Sequence, residues 1–193
     1  MMLRAWMAVA LFFLKPPFWD ARPPEKWSDL EVGEMLHDSP WAQTIGPPPL
    51  VAVYLATAAP AALAEAEERV RGIAPGGPNA TLDFDYNDYL RQHRDDALIL
   101  AVTYPRGSSF GAERQQQRME ETAAMQTGSR TYPILGYFPP TKEDPVLRLA
   151  FPRRVQLSGK TVVFRLYLPG LPFPEREVLF KLKDLIWRGR LEM

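Results

Sequence analysis

Proline is the feature of this sequence that most restricts its fold, because twenty of the 193 residues are proline, about twice the average frequency. Proline has no backbone N–H and a fixed φ angle, so it interrupts helices and the interior of sheets. The chain is therefore expected to form short elements joined by stiff loops. Apolar residues make up 46% of the sequence, which is enough for these elements to bury a common core.

Between the prolines, apolar patterns predict helices and strands in alternation along the middle of the chain. The predicted elements are a strand over residues 50–57, helices over 60–71 and 84–95, a strand over 97–104 and a helix over 112–125. The strand 97–104 is continuously apolar, which is typical of a central strand covered on both faces. In the helix 60–71, four residues at helical spacing are expected to form the apolar face: Leu63, Ala66, Val70 and Ile73.

From residue 132 onward the pattern changes to short strands separated by turns that contain proline and glycine. The predicted strands cover residues 132–138, 146–151, 161–168, 177–182 and 186–192. Consecutive short strands joined in this way form antiparallel meanders. The predicted fold class is therefore α+β, with an N-terminal βα(α)βα unit, an antiparallel C-terminal strand meander, and helices packed on one sheet face.

The first 49 residues form two segments ahead of a single α+β domain at 50–193. Residues 1–14 contain one arginine followed by ten apolar residues, which is typical of a secretory signal and shorter than the roughly 20 residues that span a bilayer. Export is the favoured interpretation. No small-x-small cleavage site follows, so an uncleaved N-terminal anchor and a buried helix are the alternatives.

Residues 15–49 form an arm that is rich in proline and tryptophan and contains one predicted helix. Ser28 and Glu31 have the spacing of a capping box, in which each side chain accepts a hydrogen bond from the other residue's backbone N–H. A short helix over residues 29–37 is expected to follow, with Val32, Met35 and Leu36 on one face. Since a helix this short is marginal alone, it must dock on the main domain or on a partner.

Several segments near the two ends of the chain share a pattern. Near the beginning these are Phe18-Trp19, Trp27-Ser28-Asp29-Leu30-Glu31-Val32 and Asp38-Ser39-Pro40-Trp41-Ala42. Near the end they are Ala150-Phe151-Pro152-Arg153, Glu177-Val178-Leu179-Phe180-Lys181-Leu182-Lys183-Asp184 and Gly189-Arg190-Leu191-Glu192. The pattern resembles a group of short hypothetical exported proteins common in acidobacteria. This resemblance covers about half of the chain and implies export and a single domain, but it assigns no active site.

Charge and residue usage exclude several classes of function. Lys plus Arg and Asp plus Glu both total 23, so the chain has no net charge to attract nucleic acid. The absence of cysteine excludes disulfides, thiol catalysis and thiolate metal sites. The two histidines, His37 and His93, have no spacing that indicates a metal or catalytic pair. No cofactor is expected.

The motif most similar to an active-site sequence is Gly107-Ser108-Ser109-Phe110-Gly111. It fits the G-x-S-x-G elbow of serine hydrolases, with Ser109 as the nucleophile. In such enzymes the histidine follows the serine in the chain, but here both histidines precede it. A loop in which Ser109 caps the next helix explains the motif without catalysis. A small serine hydrolase is therefore an alternative function rather than the favoured one.

The segment Asp83-Phe84-Asp85-Tyr86-Asn87-Asp88 begins like a calcium-binding loop. Asp83, Asp85 and Asn87 are its candidate ligands, so a calcium- or ligand-binding module is a further alternative. Such loops have glycine at the sixth position and glutamate at the twelfth, where this chain has Asp88 and Arg94. Acidic residues at the beginning of a helix are the simpler interpretation, because they interact favourably with the helix dipole.

Four of the five tryptophans occur before residue 42. In an exposed arm, Trp19, Trp27 and Trp41 would offer a binding surface to an envelope protein or a peptide; alternatively, Trp27 and Trp41 pin the short helix to the domain. The favoured function is a non-enzymatic structural or interaction module of the cell envelope, exported to the periplasm or the cell exterior. The expected link to the membrane is at most an N-terminal anchor, and the oligomeric state stays open.

Overall fold

The computed structural model describes residues 16–78 and 84–193 and confirms the α+β class. The helices of this part of the chain are α1 (Phe18–Ala21), α2 (Asp29–His37), α3 (Ala59–Val70), α4 (Phe84–His93) and α5 (Glu113–Thr122), with short 3₁₀ helices at Pro24–Lys26 and Leu182–Asp184. The strands are β1 (Ala42–Ile45), β2 (Val51–Leu55), β3 (Ala97–Thr103), β4 (Ala124–Thr127), β5 (Arg130–Pro133), β6 (Gly136–Phe138), β7 (Val146–Pro152), β8 (Thr161–Tyr167), β9 (Glu175–Lys181), β10 (Ile186–Trp187) and β11 (Arg190–Leu191). The predicted βα(α)βα unit corresponds to β2, α3, α4, β3 and α5.

The strands of the described residues pair antiparallel and form two sheets and a hairpin. The strand order is β1-β2-β3-β7-β6 in the five-stranded sheet and β5-β4-β8-β9 in the four-stranded sheet, while β10 pairs with β11. The pair β3–β7 forms the centre of the five-stranded sheet, from Ala97 opposite Pro152 to Thr103 opposite Val146. Every residue of β3 except Thr103 is buried, which confirms the predicted central strand.

One face of the five-stranded sheet packs on the four-stranded sheet through an apolar layer. The ring of Phe151 on β7 has its centre 5.2 Å from that of Phe164 on β8. Phe164 in turn lies 6.0 Å from Phe180 on β9. All three side chains are fully buried, so this layer is held by dispersion and by the removal of apolar surface from water.

Helices α3 and α4 cover the other face of the five-stranded sheet. Tyr54, Ala101 and Arg148 are neighbours in register across β2, β3 and β7, so their side chains share a face. On that face the Tyr54 hydroxyl donates to Glu65 of α3, and the Arg148 guanidinium lies over the Tyr86 ring of α4. The helical layer therefore lies opposite the sheet-on-sheet layer.

The helix of the predicted arm forms as expected. Its bounds are residues 29–37, and Ser28 and Glu31 make both hydrogen bonds of the capping box. The predicted apolar face is buried and consists of Val32, Met35 and Leu36. The helix therefore docks on the main domain. Docking on this domain or on a partner was expected, because a helix this short is marginally stable alone.

The domain boundary predicted at residue 50 does not coincide with a break in packing. The short strand β1, which the sequence patterns did not predict, pairs with β2 along its whole length and forms an edge of the five-stranded sheet. Trp41, which precedes β1, is fully buried in the same core. A strand of four residues with one buried side chain has too little alternation to be recognised, so only its pairing with β2 defines it.

The bounds predicted for α3 are correct to within one residue, but its predicted apolar face points away from the core. Leu63 is 36% exposed, Val70 is 82% exposed and Ile73, just beyond the helix, is 41% exposed; Ala66 is exposed as well. The buried residues of α3 are Pro60, Ala61, Ala64, Glu65 and Glu68. The periodicity rule failed because it assigns carboxylates to water, whereas Arg148 provides a buried partner for Glu65.

Two further elements differ from the prediction between residues 112 and 138. The helix α5 ends at Thr122, and the residues after it form β4. The single strand predicted over 132–138 is two strands, β5 and β6, which belong to different sheets. Pro133 ends β5, because proline has no N–H to continue the strand pairing.

Candidate functional site

A cluster of five ionisable side chains is buried between the five-stranded sheet and the helices α3 and α4. Arg148 of β7 lies at its centre and is 2% exposed. Its guanidinium donates to Glu65 of α3 at 2.5 Å and to Asp144, just before β7, at 2.5 Å. The same guanidinium lies 4.5 Å from the centre of the Tyr86 ring. The Tyr54 hydroxyl donates to the Glu65 oxygen that also accepts from Arg148, at 3.1 Å.

The charges of this cluster stabilise one another. Burial by itself would raise the pKa of Glu65, because a carboxylate loses its hydration in the interior. Attraction to Arg148 and Arg69, together with hydrogen bonds from Arg148 and Tyr54, outweighs burial and lowers the pKa of Glu65. Burial likewise opposes the charge of Arg148, but Glu65 and its neighbours hold the Arg148 pKa well above its usual value. Glu65 and Arg148 are therefore a charged pair at neutral pH.

Glu68, which follows Glu65 by three residues on α3, is in a different state. It is 7% exposed, and Arg148 forms no ion pair with it. Burial and the negative charge of Glu65 raise the pKa of Glu68 to about 7, against the weaker attraction of Arg69. The buried side of α3 thus combines one ionised carboxylate with one that is partly protonated at neutral pH.

The side chains of this cluster hydrogen-bond to one another, and this arrangement suits the orientation of the helices better than it suits catalysis. Glu65 accepts from both Arg148 and Tyr54, and Arg148 also bonds Asp144, so these groups are already satisfied by one another. Within the described residues only Nε of Arg148 lacks a hydrogen-bond partner in this cluster, and the Tyr86 ring lies against that guanidinium. Hydrogen bonds between charged groups require defined distances and angles, so the cluster fixes the rotation of α3 about its own axis on the sheet.

Open cavities on the surface of the described part of the chain include two that involve candidate residues or a group of arginines. The first, called here the arginine cavity, has a volume of about 840 Å³ and is lined by Arg91, Arg94 and Arg153 among others. The second, called here the serine cavity, has a volume of about 850 Å³ and includes Ser109 and Lys142 in its lining. Both volumes lie within the range of small-molecule sites.

Ser109 lines a cavity, but its surroundings do not form a nucleophile elbow. Among residues 16–78 and 84–193, no hydrogen bond joins the Ser109 hydroxyl to a histidine, lysine or carboxylate, and a serine nucleophile requires such a base. Ser109 is also not the helix cap, because α5 is capped at Ala112, whose N–H donates to the Gln115 side chain. Gly111 and Gly170 allow close packing here, because a Cβ on Gly170 would overlap the Ser109 carbonyl oxygen and a Cβ on Gly111 would overlap the Gly170 N–H.

The candidate calcium ligands are described only in part. Asp83 lies outside the described residues, whereas Asp85 and Asn87 lie on α4. Within residues 16–78 and 84–193 there is no group of three or more acidic or histidine side chains that could hold a metal ion. A calcium loop is irregular backbone, so the helical conformation of Asp85 and Asn87 supports the interpretation of acidic residues at the beginning of a helix.

Two of the three candidate tryptophans lie in the core, and the third, Trp19, packs against it. Trp27 is 3% exposed, and Trp41 is completely buried, with its indole N–H donating to the Glu192 carbonyl at 3.0 Å. Trp19 is half-buried, and its ring lies 6.0 Å from that of Trp41 in an edge-on arrangement. Trp27 and Trp41 therefore attach the α2 segment to the domain, and their rings are not accessible to a partner.

Sequence reasoning missed the ion cluster, although the sequence contains a signal for it. Arg148 stands in the middle of an apolar strand, and an arginine at such a position requires a buried carboxylate. Glu65 and Glu68 lie on one side of α3 because residues three apart share a helix face. The pairing of Arg148 with Glu65 across 83 residues depends on the tertiary fold and could not be read from spacing.

Comparisons with known proteins identify no relative of this chain. No family model, no curated protein and no solved structure matches it. In residues 16–78 and 84–193, no helix has the length and apolar character needed to cross a bilayer.

Proposed function

We propose that this protein is an exported, non-enzymatic interaction module of the cell envelope, and that it binds a helix of a partner protein through the outward side of α3. The observation that carries the proposal is the inverted orientation of this helix. α3 buries two carboxylates beside its small residues and leaves its larger apolar side chains exposed, with Leu63 36% and Val70 82% exposed. A surface helix of a protein that acts alone has the opposite arrangement.

The outward side of α3 has a shape that suits a helical partner. Its exposed apolar residues are Ala62, Leu63, Ala66 and Val70, and Ile73 extends the row beyond the helix. The two alanines are small and allow a close approach, while the larger side chains at Leu63 and Val70 can fill a groove of the partner. Exposed apolar stripes of this kind are characteristic of protein-binding surfaces.

The rigid attachment of α3 favours this role. Glu65 is held by Arg148 and Tyr54 from the sheet side. Arg71, at the end of the helix, donates to the Trp27 carbonyl at 2.7 Å and pairs with Asp29 at 3.0 Å. A surface that is already ordered loses little conformational entropy on binding, which improves affinity. We therefore propose α3, rather than the tryptophans, as the binding surface.

Site-specific crosslinking in cells tests the binding surface. A photoreactive amino acid is placed at Val70 of the full-length protein in the organism that makes it, and at Gln117 of α5 as an exposed helical control. The proposal expects one protein to be captured from position 70, not from position 117, and lost when Leu63→Lys is added. Equal capture from both positions, or capture that Leu63→Lys does not alter, would contradict it.

Export is tested separately by cell fractionation. The apolar segment 1–14 supports the proposal of export, because one arginine followed by ten apolar residues has the form of a secretory signal. The full-length protein is expected in the periplasm or the medium, and a version without residues 2–14 in the cytosol. Recovery of both versions from the cytosol would contradict export. The binding surface on α3 would then still be tested by the crosslinking experiment.

A further inference from the structure

The arginine cavity lies beside the beginning of α3, the end of α4 and the last residues of the chain. Arg91 and Arg94 come from α4 and the residue after it, Arg153 follows β7, and Ala59 begins α3. Two carboxylates also line the cavity, those of Asp95 and Glu192. The remainder of the lining includes apolar side chains such as Leu90. The lining thus combines charged and apolar side chains, as that of small-molecule sites does.

Two of the three arginines have no carboxylate partner. Arg91 pairs with Asp88. Arg153 donates from one amino group to the Arg94 carbonyl at 3.0 Å, which places its guanidinium beside that residue. Neither Arg94, which is exposed, nor Arg153, which is half-buried, forms an ion pair within residues 16–78 and 84–193. Guanidinium groups directed into a cavity can take both oxygens of a carboxylate or phosphate.

The chain already places one of its own carboxylates at this position. An oxygen of Glu192 accepts a hydrogen bond from the Ala59 N–H at 3.2 Å. The first turn of α3 has no acidic residue and no side-chain cap of its own. The Glu192 backbone is held independently, because its carbonyl accepts from Trp41 and its N–H donates to the Leu185 carbonyl. The side chain can therefore leave the cavity while the backbone stays in place.

We infer that the arginine cavity binds a phosphate-bearing small molecule, for which the Glu192 carboxylate is an internal competitor. Because Asp88 neutralises Arg91, the charges of Arg94 and Arg153 are balanced by Asp95 and Glu192 while Glu192 is in place. When the Glu192 side chain moves out, one positive charge is left in excess, and an anionic phosphate monoester can replace the lost carboxylate. Arg94 and Arg153 bind the phosphate oxygens, and the organic part lies along Leu90.

Two variants are expected to change the affinity for phosphate in opposite directions. The double variant Arg94→Gln/Arg153→Gln removes the guanidinium groups and should weaken binding about tenfold or more. Glu192→Gln removes the competing charge and should tighten binding. The control Arg114→Gln/Arg130→Gln removes the same charge from two exposed arginines outside the cavity and should bind as the unmodified protein does. Circular dichroism establishes that each variant is folded.

Isothermal titration calorimetry with inorganic phosphate and with pyrophosphate measures these affinities. Vesicles of phosphatidylcholine with and without phosphatidic acid distinguish a free phosphate compound from a lipid headgroup. Saturable binding of phosphate or pyrophosphate supports the inference if Glu192→Gln binds most tightly, the unmodified protein less tightly and the arginine double variant least tightly. Absence of binding to all probes, or equal binding by the arginine double variant and its control, overturns it. Weaker binding by Glu192→Gln removes the competitor role.

Discussion

The two faces of the five-stranded sheet are packed in opposite ways. On one face Phe151 meets Phe164 of the second sheet, and the contact is apolar throughout. On the other face Arg148 meets Glu65 of α3, and the contact is an ion pair with 2% and 9% of the two side chains exposed. Phe151 and Arg148 are three residues apart on the same strand, so neighbouring residues of β7 support two different kinds of interface.

The difference shows how a buried ion pair determines orientation. An apolar layer tolerates small shifts, because dispersion is not directional. An ion pair must keep its geometry, and its desolvation cost means that it adds little net stability. On the helical face, Arg148 therefore selects which side of α3 is buried, and the apolar residues Leu63 and Val70 are left in solvent as a consequence.

Removal of Arg148 should have the largest effect. Arg148→Ala leaves the Glu65 carboxylate buried without its partner, and a loss of about 5 kcal/mol in the free energy of unfolding is expected. Urea denaturation at pH 7 measures it. The deficit should shrink toward pH 4.5, because a protonated Glu65 has no charge to compensate. The double variant Arg148→Met/Glu65→Leu should recover much of the loss, and a failure to recover would mean that Arg148 acts by packing alone.

Truncation on the apolar face should cost slightly less and should not depend on pH. Phe164→Ala removes a fully buried ring between Phe151 and Phe180, and about 4 kcal/mol is expected from lost burial and the residual cavity. The same denaturation series at pH 7 and pH 5 measures it. If the loss of stability caused by Phe164→Ala varies with pH as much as the loss caused by Arg148→Ala, the two faces do not differ in the way described here.

Neutralising Glu68 should stabilise the protein, and only at higher pH. The folded pKa of Glu68 is about 7, above the ordinary glutamate value of about 4.3, so the folded state holds a proton that the unfolded state releases. The contribution of Glu68 to the free energy of unfolding therefore falls as the pH rises from about 4.5 to 7. Glu68→Gln should gain about 2 kcal/mol at pH 8 and almost nothing at pH 4.5. An equal gain at both pH values would indicate a packing effect.

Changing the outward side of α3 should have the smallest effect on stability. Val70 is 82% exposed, so Val70→Gln is expected to alter the free energy of unfolding by no more than about 0.5 kcal/mol. Thermal unfolding of the purified protein measures it. Ala64→Gln, on the buried side of the same helix, provides the contrast and should be strongly destabilising. A large loss from Val70→Gln would mean that the outward side is covered within the protein.

Local patterns were enough to place most helices and strands of this protein. The capping box of Ser28 and Glu31, the bounds of α3 and the central strand β3 all follow from interactions between residues close in sequence. β1 and β4 were not predicted, because each is four residues long and is defined by its neighbours in the sheet. The candidate site residues Ser109, Trp27 and Trp41 were chosen by residue type, and type alone does not determine exposure.

The sequence by itself determined the α+β class, the order of most of the helices and longer strands, and the absence of thiol chemistry, since these depend on local propensity and composition. Only the tertiary structure decided which side of α3 is buried, that Trp41 belongs to the core, and that Arg94, Arg153 and Glu192 line one cavity. The physical reason is that a charged side chain stays in water unless an opposite charge offsets the cost of its burial. Its position depends on whether folding brings an opposite charge within a few ångströms, and that partner can lie anywhere in the chain.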